Sequence, residues 1–185
     1  MPSTDSRPHD HSRHRAIRSV IGAYLPDIIL GANDGIITTF ALVSGVTGAS
    51  LSPTIVLILG FANLIGDGIS MGASNILSRR SEATSAKLPG IARVLPDGVA
   101  TFAGFVFAGM VPLIAYLLPW FSGAKFLWAV VFALTALFAV GASRSRFTRQ
   151  GWMKSGLEML FIGSLAASAA YGIGILGGAL AGNLD

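Results

Sequence analysis

The stretch GANDGIITTFALVSG, Gly31–Gly45, decides the fold. It lies inside an apolar run from about Pro26 to Ala49, long enough as a helix to cross a hydrocarbon layer of about 30 Å. Near its start it carries an asparagine and an aspartate side by side. A carboxylate in such a run is costly, so ionisable residues within a bilayer are rare and mark ion pathways by default. Asp27, seven residues earlier, falls about two turns away on the same helical face as Asp34.

Four further runs of this kind follow: about Pro53 to Leu77, Asp97 to Leu118, Ala124 to Ala142 and Leu157 to Ala181. Ser52-Pro53, Leu88-Pro89-Gly90, Pro96, Pro119 and Gly151 fall between them, as breakers should. Pro112 lies inside the third, where membrane helices tolerate a kink. The composition agrees. Of 185 residues, 52% are hydrophobic and 12% charged, with mean hydropathy +0.67, against about 25% charge in a soluble domain. The fold class predicted is all-α integral membrane, with five transmembrane helices.

Basic residues set the orientation. Arg7, Arg13, Arg15 and Arg18 precede the first span, Arg79, Arg80, Lys87 and Arg93 lie between the second and third, and Arg144, Arg146, Arg149 and Lys154 between the fourth and fifth. With five spans, twelve of the thirteen Lys and Arg residues share one side and only Lys125 is opposite. The N-terminus is therefore expected in the cytoplasm and the C-terminus across the membrane. Residues 1–20 read as a disordered cytoplasmic tail without signal-peptide features, and residues 21–185 as the transmembrane domain. His9, His11 and His14 with Asp10 have donors for a weak transition-metal site, although a polar tail is the simpler reading. Trp120, Trp128 and Trp152 lie near span ends, as anchors do. The chain has no cysteine, which excludes disulfides, thiolate metal sites and a cysteine nucleophile.

The second span carries Asn63, Asp67, Ser70, Met71, Ser74, Asn75 and Ser78 at spacings of three and four, a polar stripe about four turns long. Carboxylate and amide oxygens suit hard and borderline divalent cations, and a thioether tilts a site toward transition metals. Asp34, Asp67 and Met71 together suit Fe²⁺ or Mn²⁺ better than Mg²⁺ or Ca²⁺, and carboxylates exchange protons for metal. The plainer reading of Asn63, Asn75 and the serines is glue between helices. Asp27 and Asp97 sit at span ends, where capping competes with transport. Glu158 opens the fifth span, either as a metal or proton relay or as an acid complementing the helix dipole. Gly31/Gly35 and Gly68/Gly72 are GxxxG pairs that permit close helix approach. An enzyme is disfavoured, since the histidines all lie in the tail; a scaffold protein and a carrier of another ion remain as alternatives.

DIILGANDGIITTFALVSGVTGA, LILGFANLIGDGISMGASNILSRRSE and LPDGVATFAGFVFAGMVPL, with GWMKSGLEML and AAYGIG near the C-terminus, resemble the vacuolar iron transporter family over roughly residues 20–182. The resemblance implies a five-helix homodimer that exports Fe²⁺ and often Mn²⁺ from the cytosol in exchange for protons, and the glycine-rich faces of transmembrane helices 1 and 2 are the expected pairing surface. It implies that Asp34 and Met71 line the metal path between protomers and that Asp27 matches another acidic position. The partners implied are divalent metal ions and the lipid bilayer, with no cofactor and no nucleic acid. Two departures stand out. Plant and fungal members carry a glutamate-rich cytosolic domain between spans two and three, where this chain has a short loop with Glu82 its one acid before Asp97. Asn63 stands where iron-transporting members carry an acid. Both leave manganese open and fit a short, domain-less member. Small size and the lack of a targeting segment point to a bacterial plasma membrane, or to a vacuolar membrane in a eukaryote.

Overall fold

The computed structural model describes residues 9–82, 89–121, 123–146, 148 and 150–182. Among them every regular element is helical: α1 (His9–Gly48), α2 (Pro53–Ser81), α3 (Ile91–Gly109), a short α4 (Ile114–Leu117), α5 (Lys125–Arg144) and α6 (Trp152–Ala181). Five segments are long and apolar enough to cross a membrane: Gly22–Gly48, Pro53–Ser81, Ile91–Leu117, Lys125–Arg144 and Trp152–Ala181. The chain is an all-α integral membrane protein, as its composition predicts. Backbone polar groups have no water to bond in hydrocarbon, so helices that satisfy their own are the solution.

The element ends differ from expectation in instructive ways. Residues 1–8 of the expected tail lie outside the described residues, and from His9 the backbone is already helical, continuous with the first span. Extending a formed helix adds one hydrogen bond per residue without a new nucleus. Pro96 lies within α3 rather than before it. As the sixth residue of α3 it stands past the first-turn amides that lack an intrahelical acceptor, so the helix forgoes the bond to the Ala92 carbonyl there. Pro112 does break the third span, into a 3₁₀ turn over Val111–Leu113 followed by α4. The α1–α2 turn closes with Ser50 at φ 58°, a left-handed conformation usually left to glycine, and Pro53 opens α2.

The central helix is α1, which packs against α3, α6, α5 and α2. Its contact with α3 is set by Gly31 and Gly35: a Cβ at either would collide with the backbone of Thr101 or Phe105, and one at Gly104 would strike Ile28. Gly68 and Gly72 of α2 likewise face Phe102 and Gly98 of α3. The glycine pairs thus serve packing within the chain. Within one chain both pairs are already covered by α3, where the expected pairing surface lay. Ile36, Phe40, Val43, Leu64, Phe105, Leu113 and Leu137 form the buried interior. The outside is apolar as well, with Phe107 74%, Phe161 71% and Ile173 69% exposed, the surface a bilayer demands. Trp120, Trp128 and Trp152 are exposed near helix ends.

Candidate metal path

The two sides of α1 have different neighbours. One is sealed on α3; the other lies between α2 and α6, which flank it and scarcely touch each other. A cavity of about 770 Å³ occupies that side, lined from α1 by Asp27, Asn33 and Asp34, from α2 by Met71 and Arg79, and from α6 by Met159, with Arg144 and Thr148 at the α5–α6 end. The seven-residue spacing does what it predicts, since both aspartates of the first span reach one space. The two differ sharply in surroundings. Asp27 is buried, at 4% exposure, whereas Asp34 is exposed on the groove.

Asp27 is fully engaged. Arg79 donates from Nη2 to both of its carboxylate oxygens, at 2.9 and 3.1 Å, and Asn75 donates from Nδ2 to Oδ1 at 2.9 Å. The Asn75 amide also reaches the Thr101 hydroxyl and, at 3.5 Å, the Asp97 carbonyl. Thr101 in turn donates to that carbonyl at 3.1 Å. Asn75 therefore ties α1, α2 and α3 together at one level. A buried carboxylate with an arginine and an amide on its oxygens is stable because each partner offsets its desolvation.

Asp34 has a different setting. Met71 shares its cavity, and Asp67 of α2 stands close enough for its charge to act on Asp34, although Asp67 itself points to the exposed face outside the cavity. Beside Asp34, the Oδ1 of Asn33 is buried with no hydrogen-bond partner among the described residues. An unpaired buried carbonyl oxygen is costly and calls for an explanation, and a cation at this place would supply one. The donor set of the cavity is thus one free carboxylate, one orphaned amide oxygen and the thioether of Met71, a mixed hard and soft set that suits borderline transition metals, while the Met159 sulfur faces the Arg144 guanidinium at 4.0 Å. No group of three or more His, Asp or Glu side chains placed to hold a metal exists among the described residues. One protomer supplies only part of a coordination shell.

Of the residues singled out from sequence, Asp34, Met71 and Asp27 come together, with Asp67 adjacent. Asn75 joins them through Asp27 as a structural hub. Asn63 does not reach the cavity, and its Nδ2 is buried without a partner elsewhere on α2. Glu158 is half-buried on α6 and also lies off the cavity. The side chains of His9, His11 and His14 lie outside the described residues. The sequence reading missed Asn33, Arg79, Arg144 and Met159. Asn33 had a signal, being next to Asp34 in an apolar run; Met159 had none, because a methionine on an apolar helix looks like packing.

Comparison with known proteins bears on this arrangement. The profile of the VIT family matches residues 25–89 and 87–175. "Vacuolar iron transporter" of Plasmodium berghei is 28% identical over 92% of this chain and 88% of its own length. "Vacuolar iron transporter 1" of Eucalyptus grandis is 24% identical over 93% and 94%, and its namesake in Arabidopsis thaliana 26% identical over 88% of each. The first of these alignments runs over 241 residues, longer than this chain, so the relative holds residues that this chain lacks. The two profile matches meet at 87–89, between α2 and α3. With the profile covering all five spans, the chain belongs to the VIT family.

Proposed function

We propose that this chain is a proton-coupled transporter of Fe²⁺, Mn²⁺ or both, moving metal out of the cytosol, and that it works as a homodimer. The observation that carries the reading is the shared cavity of Asp34, Asn33 and Met71 on the open side of α1. Asp34 is exposed there on a spanning helix, and a carboxylate does not face acyl chains at acceptable cost. A second copy laid over the groove removes it from lipid and doubles the donors, supplying the ligands that one protomer lacks. The pairing surface is then the exposed polar face of α1 and α2, with Asp34, Asp67, Ser70 and Ser74, rather than their glycine faces. The names of the relatives support iron as the cargo, and the Met71 thioether supports a transition metal over Mg²⁺ or Ca²⁺. Carboxylates on the path release metal when protonated, which couples the two ions.

The basic ends of α2 and α5 support a cytoplasmic N-terminus. Export from the cytosol runs the same way in a bacterial plasma membrane and in a vacuolar membrane. The test is uptake by proteoliposomes, with and without a pH gradient, offered Fe²⁺, Mn²⁺, Zn²⁺ and Ca²⁺ separately. Gradient-dependent uptake of Fe²⁺ or Mn²⁺, abolished in a folded Asp34→Asn variant, is expected. Uptake of another ion would replace the cargo; no uptake of any ion by folded protein would leave a scaffold as the reading.

A further inference from the structure

A cation path lined at one end by arginines is an electrostatic contradiction. Arg79 lines the cavity beside Asp27, and Arg144 lies at the same end. Asp27 is two turns from Asp34 toward that basic end, so a cation arriving there meets the level of Asp27 before it meets Asp34. At that level the carboxylate is taken: both oxygens accept from the Arg79 guanidinium.

We propose that Arg79 is the gate of the path, a tethered cation resting on Asp27 that must swing aside before a metal ion crosses that level. Three observations carry this beyond a simple helix clamp. First, the pair is asymmetric. The Asp27 side chain is 5% exposed and the Arg79 side chain 41%, so the acid is fixed and the base has open space to move into. Second, the clamp exists without it, because Asn75 already ties Asp27 of α1 to Thr101 and Asp97 of α3. Third, a second carboxylate lies within reach of Arg79. Glu82 follows it by three residues at the C-cap of α2, and residues three apart face each other on a helix. Glu82 is exposed, and among the described residues its carboxylate accepts a hydrogen bond from Ser78 alone. The gate is a two-position arginine, on Asp27 when closed and on Glu82 when open. A divalent ion, with twice the charge, displaces it where a monovalent one does not.

The inference rests on the transport reading, and the experiment separates the two. Mn²⁺ uptake by proteoliposomes under a fixed pH gradient is compared for wild type, R79Q, R79K, E82Q and the double variant D27N/R79Q, with thermal unfolding measured with and without Mn²⁺. R79Q frees Asp27 as a ligand, so its KM falls several-fold, kcat falls as release slows, and Mn²⁺ raises its Tm more than that of wild type. R79K keeps the charge and stays near wild type. D27N/R79Q loses the KM shift, because the freed ligand is gone. E82Q removes the open position, lowering kcat with KM unchanged. A folded R79Q with KM unchanged or raised overturns the gate, as does a KM fall that survives in D27N/R79Q, which would assign the effect to rim charge alone. If R79Q does not fold, an E82Q with wild-type kcat overturns it. No uptake by wild type overturns the transport reading, and the gate with it.

Discussion

Asn75 shows how much one amide can hold. A single side-chain nitrogen bonds residues on α1 and α3 from α2, and no hydrophobic force draws these helices together in lipid. Truncation to alanine leaves a buried carboxylate short of one donor. Asn75→Ala is expected to lose about 1–3 kcal/mol of stability, read by unfolding in detergent micelles, while Arg79 keeps Asp27 paired. Met71 offers the opposite case, where function exceeds structure. Met71→Leu conserves volume and should cost under about 1.5 kcal/mol. It removes a soft donor from beside Asp34, so uptake of Fe²⁺ should fall further than uptake of a harder ion offered at equal concentration. An unchanged ratio between the two ions would show that the thioether is only packing.

At the scale of elements, two glycines that look alike in sequence have opposite duties. Gly35 lies against the backbone of Phe105, where a Cβ has no room, whereas a Cβ at Gly66 would have nothing within 4 Å. Gly35→Ala must push α1 off α3 and is expected to cost about 1–3 kcal/mol. Gly66→Ala gains helix propensity and should stabilise α2 by about 0.5–1 kcal/mol. Both are measured as shifts in detergent-unfolding midpoint, and equal effects from the two would refute the close α1–α3 packing. The α1–α3 contact also fixes which way α1 is turned. With Gly31 and Gly35 against α3, the adjoining strip of α1 carries Asp27 and Asp34 along the groove toward α2 and α6, so the close contact sets where the carboxylates face.

The whole molecule is a bundle with one side left open. Leu30 is 53% exposed and lines the groove between Asp27 and Asp34, so in the proposed dimer it lies against the second copy. The chain has no cysteine, and Leu30→Cys therefore introduces a lone thiol. Oxidation in membranes should yield a covalent dimer, since a disulfide forms only when two Cα atoms come within about 7 Å. Persistent monomer on oxidation would place the partner elsewhere. The same background permits a topology test. A cysteine at Gly90 should react with an impermeant reagent from the cytoplasmic side and one at Gly123 from the other. The mirror pattern, Gly123 from the cytoplasm and Gly90 from the other side, would reverse the reading of the arginines.

The sequence by itself determined the number of spans and placed their limits within about six residues, because in a bilayer hydrophobic length is a direct measure of crossing. It also singled out Asp27, Asp34 and Met71, which line one cavity, since polar groups are conspicuous against an apolar background and helical spacing says which share a face. Only the tertiary structure decided their separate roles. Periodicity places two aspartates on one stripe but cannot say that one is closed by an arginine 52 residues away and the other left open. Nor can it say which way a glycine pair faces, toward its own chain or toward a second copy. Those outcomes depend on how helices far apart in sequence rotate against one another, and that rotation is set by close backbone contacts that exist only once the bundle has assembled.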